Sequence, residues 1–277
     1  MLFPLYDENP TKRRPIVTLT IIVLNCLAFL YTQHLGSTQG AEAQNLFIAK
    51  HGFVPARLGQ LVTGKPVFVN IAPPQVRQVR PRQVVFEPEK FLVIQRSVGG
   101  TLLALFTCMF LHGGWYHILS NMWFFYIFGN NIEDRLGHLP FLAFYLGGGL
   151  VATACHVMMT TGQGADIPVI GASGAVAAIL GAYAIFYPWV NVRCILFVFV
   201  FFTWVDLPAL FALGVWFVTQ LVSGIEQLRF PMGTGVAWWA HIGGFVAGAA
   251  LMPLVARPEP PRLPQPPPPV PRQRPFS

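Results

Sequence analysis

Apolar residues in this chain gather into long, nearly uninterrupted runs. The first extends from Pro15 to about Tyr31. A hydrocarbon core about 30 Å thick takes about 20 apolar residues as helix, so this run predicts a membrane span. The next apolar stretch, Thr101 to Phe128, is too long for one upright helix. Gly113-Gly114 divides it into a short buried or interfacial piece, Thr101–Leu111, and a second span, Trp115–Phe128. Further spans are predicted at about Leu139–Met159, at Ser173–Tyr187 (closed by Pro188), at Leu207–Ser223 and at about Val236–Val255. Cys194–Trp204 reads as a short apolar hairpin or re-entrant piece. The pattern predicts an all-α membrane protein, a bundle of six transmembrane helices.

The intervening polar stretches set the domain organisation. Residues 1–14 are polar and end in Lys12-Arg13-Arg14, a cytoplasmic N-terminal segment ahead of a retained membrane anchor. Residues 15–256 form the membrane domain. Within it, residues 33–100 carry eight basic residues between short apolar pieces and read as a structured outer loop, partly in the interface. The tail, 257–277, is about half proline and predicts an extended, disordered cytoplasmic strand that offers a site for a partner. Six spans put both ends on one side, and the flanking arginines and lysines put that side in the cytoplasm. The basic outer loop runs against this rule, but loops longer than about 60 residues count little in it.

Composition agrees. Of 277 residues 54% are hydrophobic and 10% charged, where an average soluble domain has about a quarter charged. The mean hydropathy is +0.54. This excludes a disordered chain and argues against a soluble enzyme. The net charge of +7 lies on no periodic face and accompanies no nucleic-acid motif. It fits attraction to a lipid bilayer with anionic headgroups. Cys26, Cys108, Cys155 and Cys194 sit far apart in apolar runs and read as small buried hydrophobes.

Polar residues inside spans are costly, so each needs a reason. Four stand out: His117 and Asn121 in the second span, Ser173 at the head of the fourth, and His241 in the sixth. Ser173 lies in Gly171-Ala172-Ser173-Gly174-Ala175, which taken alone marks close helix packing. Yet the fourth span is only about 15 residues, roughly 22 Å of helix, so its first residue starts below the membrane surface. His241 enters from the same side at a similar depth. Gly174, Ala178 and Ala182 on one helix, and Ala240, Gly244 and Gly248 on the other, form small stripes that let the backbones approach. A serine beside an imidazole can act as a nucleophile with the imidazole as general base. His117 and Asn121, four apart, share a helix face and supply donors for a developing oxyanion; alone they read as an interhelical clasp. His112 with His117 and His241 invites a metal, but no carboxylate and no HExxH accompanies them, so no metal is expected. Glu133 and Arg135 read as structural, pairing together or bonding to loop backbone.

In this order, His112-Gly-Gly-Trp-Tyr-His117-Ile-Leu-Ser-Asn121, Glu133-x-Arg135, Gly171-Ala-Ser173-Gly174 and Ala240-His241-Ile-Gly-Gly244 resemble the rhomboid intramembrane serine proteases. The likeness covers about residues 15–255. It implies a six-helix fold around a water-filled cavity, a Ser173–His241 dyad, and an oxyanion site of His117, Asn121 and the Ser173 amide. His112, Gly171, Gly174, Glu133 and Arg135 would support it, with no cofactor. The implied activity is hydrolysis of peptide bonds in or near the transmembrane segments of single-pass or multi-pass membrane proteins. The fifth span and the loop before the sixth, about Glu226–Gly235, would gate substrate. A bacterial inner membrane is the expected location.

Two features depart from the family. The residue four after the serine, often an aromatic under the histidine ring, is Ala177, so other groups must orient His241. The first loop carries an extra stretch, Lys65–Lys90. The alternative function is a catalytically silent relative that binds or chaperones transmembrane clients; such a relative should lack the serine or the histidine, and both are present.

Overall fold

The computed structural model describes residues 2–72, 75–80, 83–160, 164–198, 201–229 and 235–256. The proline-rich tail, 257–277, lies outside the described residues.

The six apolar runs form six helices: α1 (Ile16–Gln39), α5 (Trp115–Leu136), α6 (His138–Met159), α7 (Ser173–Phe186), α8 (Ala209–Arg229) and α9 (Trp238–Val255). Of these, α1, α6, α8 and α9 are each long and apolar enough to cross a membrane. The piece read as Thr101–Leu111 is α4 (Val98–Thr107) followed by a 3-10 turn, Cys108–Phe110. It meets α5 at a bend of 82°, and the two together are likewise long and apolar enough to cross a membrane. Gly113-Gly114 supplies the break. α5 continues eight residues past the expected Phe128, because the polar Asn130–Arg135 stretch finds partners there.

Glu133 is the chief of these. Its carboxylate is fully buried. It accepts the N–H groups of Val17 and Thr18 at 2.8 Å each and the Thr18 hydroxyl at 2.7 Å, while His138 Nδ1 lies 2.6 Å away. The first N–H groups of a helix have no intrahelical acceptor. Pro15, at the head of α1, offers no side-chain cap. A carboxylate from α5 therefore caps α1, where the helix dipole favours negative charge. Arg135 lies over the Phe186 ring, 5.3 Å from its centroid. Glu133 thus bonds to the start of α1 and to His138, and Arg135 reaches an aromatic face.

α7 is the central helix, buried along nearly its whole length. The small stripes predicted on α7 and α9 meet. A methyl group on Gly244 would come within 2.2 Å of the Gly174 carbonyl oxygen, and one on Gly248 within 1.8 Å of the Ala178 oxygen. One on Gly181 would come within 2.0 Å of the Phe245 oxygen. On the opposite flank, a methyl on Gly148 of α6 would meet Ala178 Cβ at 2.5 Å. Backbone therefore touches backbone, as small residues permit.

The 33–100 stretch folds as α2 (Ala41–His51), α3 (Ala56–Thr63) and four strands. β2 (Val67–Ala72) pairs antiparallel with β5 (Lys90–Ile94), and β3 (Gln75–Arg80) with β4 (Gln83–Glu87). The Lys65–Lys90 stretch is thus largely nested hairpin. A small core of Ala49, Val54, Val67, Val69 and Ile71 holds this region together.

The Cys194–Trp204 piece belongs to a hairpin, β6 (Asn191–Val198) and β7 (Phe201–Pro208). One element has no counterpart in the expected organisation. Residues Leu2–Asp7, expected to be a polar leader, form β1, which pairs antiparallel with β6 to complete a sheet ordered β1-β6-β7.

Candidate active site

Ser173 is the first residue of α7, and two tethers hold that helix start. Phe53 and Val169 exchange backbone hydrogen bonds of 3.1 and 2.7 Å, and the Gly171 N–H donates to the Cys108 carbonyl at 2.9 Å. Gly171 has φ of +121°, where a side chain is strained. A methyl there would also collide with the His117 ring, 2.7 Å from Nε2, and come within 3.6 Å of Ser173 Oγ. Glycine at 171 therefore brings the imidazole of His117 up to the serine. Gly174, the next residue of the motif, faces Ala152 of α6 and Ala240 of α9.

A cavity of about 810 Å³ opens beside these groups. Ser173, His241, His117 and Asn121 all line it. The structure thus brings together the four residues singled out from sequence. His112, on the bend before α5, is fully buried, and its ring meets the His117 ring edge-on at 4.9 Å. It therefore backs His117 from behind the cavity. Asn121 donates one amide hydrogen to the His117 carbonyl at 2.8 Å, which leaves its second hydrogen for other partners.

His241 is positioned by a residue the sequence analysis passed over. Its Nδ1 lies 2.8 Å from Gln220 Oε1 on α8. The Gln220 amide nitrogen donates to Thr219 Oγ1 at 3.0 Å and to the Trp216 carbonyl at 3.3 Å, which fixes the oxygen toward the histidine. A carbonyl oxygen accepts, so Nδ1 carries the hydrogen and Nε2 has a free lone pair. Trp216 and Trp238 flank the ring at 6.1 and 5.9 Å between centroids. These groups orient the ring in place of the aromatic that Ala177 lacks. Gln220 was visible in the sequence as a polar residue inside an apolar span, the same signal that marked His117 and Asn121. His156 of α6 also lines the cavity.

Among the described residues no hydrogen bond joins Ser173 Oγ to His241; the two share the cavity wall. Of the expected gate, about Glu226–Gly235, Glu226–Arg229 end α8, and residues 230–234 lie outside the described residues.

A helix bundle with several apolar membrane-crossing helices, and a serine and a histidine facing one cavity from its two most closely packed helices, is the architecture of an integral, multi-pass membrane protein. Residues 99–258 match the Rhomboid domain model. The chain belongs to the rhomboid family. It is similar to presenilin-associated rhomboid-like protein A, mitochondrial, of Danio rerio, with 31% identity over 140 residues, 50% of this chain and 34% of that protein. It is similar also to RHOMBOID-like protein 12, mitochondrial, of Arabidopsis thaliana, with 32% identity over 165 residues, 54% of this chain and 45% of that protein. RHOMBOID-like protein 5 of the same plant is 38% identical over 82 residues, 28% of this chain and 25% of that protein. The matched part spans less than half the length of each of these relatives.

Proposed function

We propose that the protein is an intramembrane serine endopeptidase acting on membrane-protein substrates. One observation carries this: His241, with Nδ1 held by Gln220 and Nε2 free, faces the same cavity as Ser173 from the helix packed most tightly against it.

In this mechanism Ser173 Oγ attacks the scissile carbonyl carbon as its proton passes to His241 Nε2. The carbonyl oxygen becomes an oxyanion, held by His117 Nε2–H, the second amide hydrogen of Asn121 and the Ser173 N–H, which heads a helix and has no intrahelical acceptor. The carbon–nitrogen bond then breaks as His241 returns the proton to the leaving amine. Water, deprotonated by His241, hydrolyses the ester and regenerates the serine. The serine–imidazole hydrogen bond, open here, closes when substrate enters, since such bonds often tighten only in the Michaelis complex. The substrate must be extended at the cleavage point, because helical hydrogen bonding shields the carbonyl.

The basic residues flanking the membrane domain support a cytoplasmic placement of Lys12–Arg14 and of 257–277, with the cavity open to the other side, whereas Leu2–Asp7, expected on the cytoplasmic side, turns back along α5 to the cavity wall. The curated relatives named as mitochondrial offer one membrane and the expectation from sequence, a bacterial inner membrane, another; fractionation of a tagged chain in its own host separates the two.

The test is cleavage of a single-pass reporter in proteoliposomes. Ser173→Ala should abolish product while leaving expression unchanged, and a fluorophosphonate probe should label the parent chain at Ser173 alone. Persistent cleavage by Ser173→Ala removes the dyad; no cleavage and no labelling by the parent chain favours a silent client-binding protein.

A further inference from the structure

Strands as well as helices line the cavity. α5 packs on α7, α1, α6 and β1, whereas α8 packs on α9, α7, β7 and β6. The sheet β1-β6-β7 stands between α5 and α8. Phe3 and Pro4 of β1 and Cys194 and Leu196 of β6 line the same cavity as Ser173 and His241.

The direction of β1 is fixed by its contacts. Pro4 accepts a hydrogen bond from Trp123 Nε1 at 2.8 Å, and Phe3 stacks on the Trp123 ring. Trp123 is only two residues beyond Asn121. At the other end, the Asp7 carboxylate is held by Asn131 at 2.8 Å and by the Tyr183 hydroxyl. Tyr183 stands ten residues along α7 from Ser173, roughly 15 Å. β1 therefore runs along α5 with its first residues nearest the site. Its far end is polar: Asp7, Glu8 and the Arg193–Asp206 pair cluster there.

Part of what holds β1 is indifferent to its sequence. It consists of the ladder to β6 and an indole N–H bonded to a backbone carbonyl. The rest belongs to its side chains: Phe3 on Trp123 and Phe124, Tyr6 beneath Arg193, and Asp7 bonded to Asn131 and Tyr183. Asp7 is a half-buried carboxyl, and the register slips between Pro4 and Tyr6. The carbonyl of Pro4 points at α5, so its missing N–H also faces α5 and costs no ladder bond to β6. Any extended apolar segment could make the ladder bonds and accept the indole N–H.

We propose that β1 occupies the docking site of substrate, and that the edge of β6 next to α5 receives the extended segment of a membrane-protein substrate in its place. The proposal rests on the protease reading for its purpose, since a serine protease needs an extended chain at its nucleophile. An extended peptide added to a sheet edge gains its affinity from main-chain bonds and its selectivity from alternate side chains. A strand entering beside α5 would lead into the cavity at the depth of Asn121 and His117. β1 keeps the β6 edge paired until substrate arrives, which also protects it from pairing with other chains.

The test uses the cross-strand pair Pro4↔Cys194. It is a non-hydrogen-bonded pair, so the Cα atoms lie about 4.5 Å apart, within disulfide range. Pro4→Cys is made with Cys26, Cys108 and Cys155 changed to alanine. Oxidation should form the 4–194 disulfide in the folded protein and lower reporter cleavage about tenfold or more, and dithiothreitol should restore it. Fluorophosphonate labelling of Ser173 should be the same in both states, because the small probe needs no strand edge. A second readout needs no catalysis: in the Ser173→Ala chain, benzoylphenylalanine in place of Ile195, the partner of Phe3, should photocapture the reporter when reduced and not when oxidised. Failure of the disulfide to form, equal cleavage in the two states, or equal capture in the two states overturns the proposal. Redox-dependent capture by a chain whose parent never cleaves would instead remove the protease reading and leave the docking site standing.

Discussion

The two walls of the cavity are built in opposite ways. On one side α7 and α9 touch backbone to backbone through Gly174, Gly181, Gly244 and Gly248, with no room for a single added methyl. On the other, α5 and α8 are held apart by three strands, one of them drawn from the far end of the sequence. The contrast teaches where rigidity is needed. On the protease reading a serine and an imidazole must hold their geometry within fractions of an ångström, and the helices that carry them are packed with no room for adjustment. The wall that a substrate would pass is closed by strand pairing, which can be exchanged for equivalent pairing without repacking a core.

The sharpest break in this comparison is a matched pair of glycine substitutions. Gly248→Ala places Cβ within 1.8 Å of a backbone oxygen that cannot swing away, whereas Gly214 on α8 has nothing within 4 Å of that position. Gly248→Ala should destabilise the bundle by about 3 kcal/mol or more and remove activity. Gly214→Ala should be neutral or stabilise by about 0.5–1 kcal/mol through helix propensity. Unfolding in mixed detergent micelles measures both. Equal effects would mean that the two walls do not differ in tolerance.

Gln220 is where the walls meet, since it reaches from α8 to His241 of α9. It is a positioning residue. Gln220→Ala should lower kcat about 10- to 100-fold with little change in KM. Gln220→Glu keeps an acceptor for Nδ1–H and should restore much of the rate. Its carboxylate should also favour the imidazolium, moving the acidic limb of the pH–rate profile upward. A Gln220→Glu profile that overlays the parent would show that the contact does not reach the histidine in the working enzyme.

The smallest effect belongs to the strand wall. Burial raises the Asp7 carboxyl from its ordinary 3.8 to about 6, against the lowering influence of the Tyr183 and Asn131 hydrogen bonds. Because the docked form holds its proton more tightly, the contribution to docking is full below pH about 4 and is lost as pH rises through about 6. It amounts to less than about 3 kcal/mol, reduced by the solvent that reaches a partly exposed group. Fluorine NMR of a trifluoromethyl probe on Pro4→Cys, with Cys26, Cys108, Cys155 and Cys194 removed, should show release of β1 rising between pH 4 and 6, and Asp7→Asn should flatten that rise. On the same sheet, the exposed Arg193 guanidinium holds the Asp206 carboxyl below its ordinary value, so that pair should not titrate in this window.

The helical part of the fold was legible because a membrane span announces itself locally. Each run is long, apolar and bounded, and the stripes Gly174–Ala182 and Ala240–Gly248 named their own interface. That Ser173, His241, His117 and Asn121 belong together was legible by the same logic, as polar residues where polarity is expensive, and all four line one cavity. β1 was not. Leu-Phe-Pro-Leu-Tyr-Asp is short, interrupted by proline, and finds its partner at Val192–Leu196, about 190 residues away. Nothing in six residues encodes such a pairing. Gln220 was missed for a different reason: it carried the same signal as Asn121, but no motif around it drew attention.

Glu133 carries a consequence for how the chain is made. α1 lacks acceptors of its own for its opening N–H groups, and the carboxylate that supplies them lies 115 residues beyond Thr18. During synthesis α1 must therefore wait, inserted but loosely seated, until the end of α5 has emerged. Its final seating is a late step in biogenesis, and a chain truncated before residue 133 should leave its first helix free to wander in the bilayer.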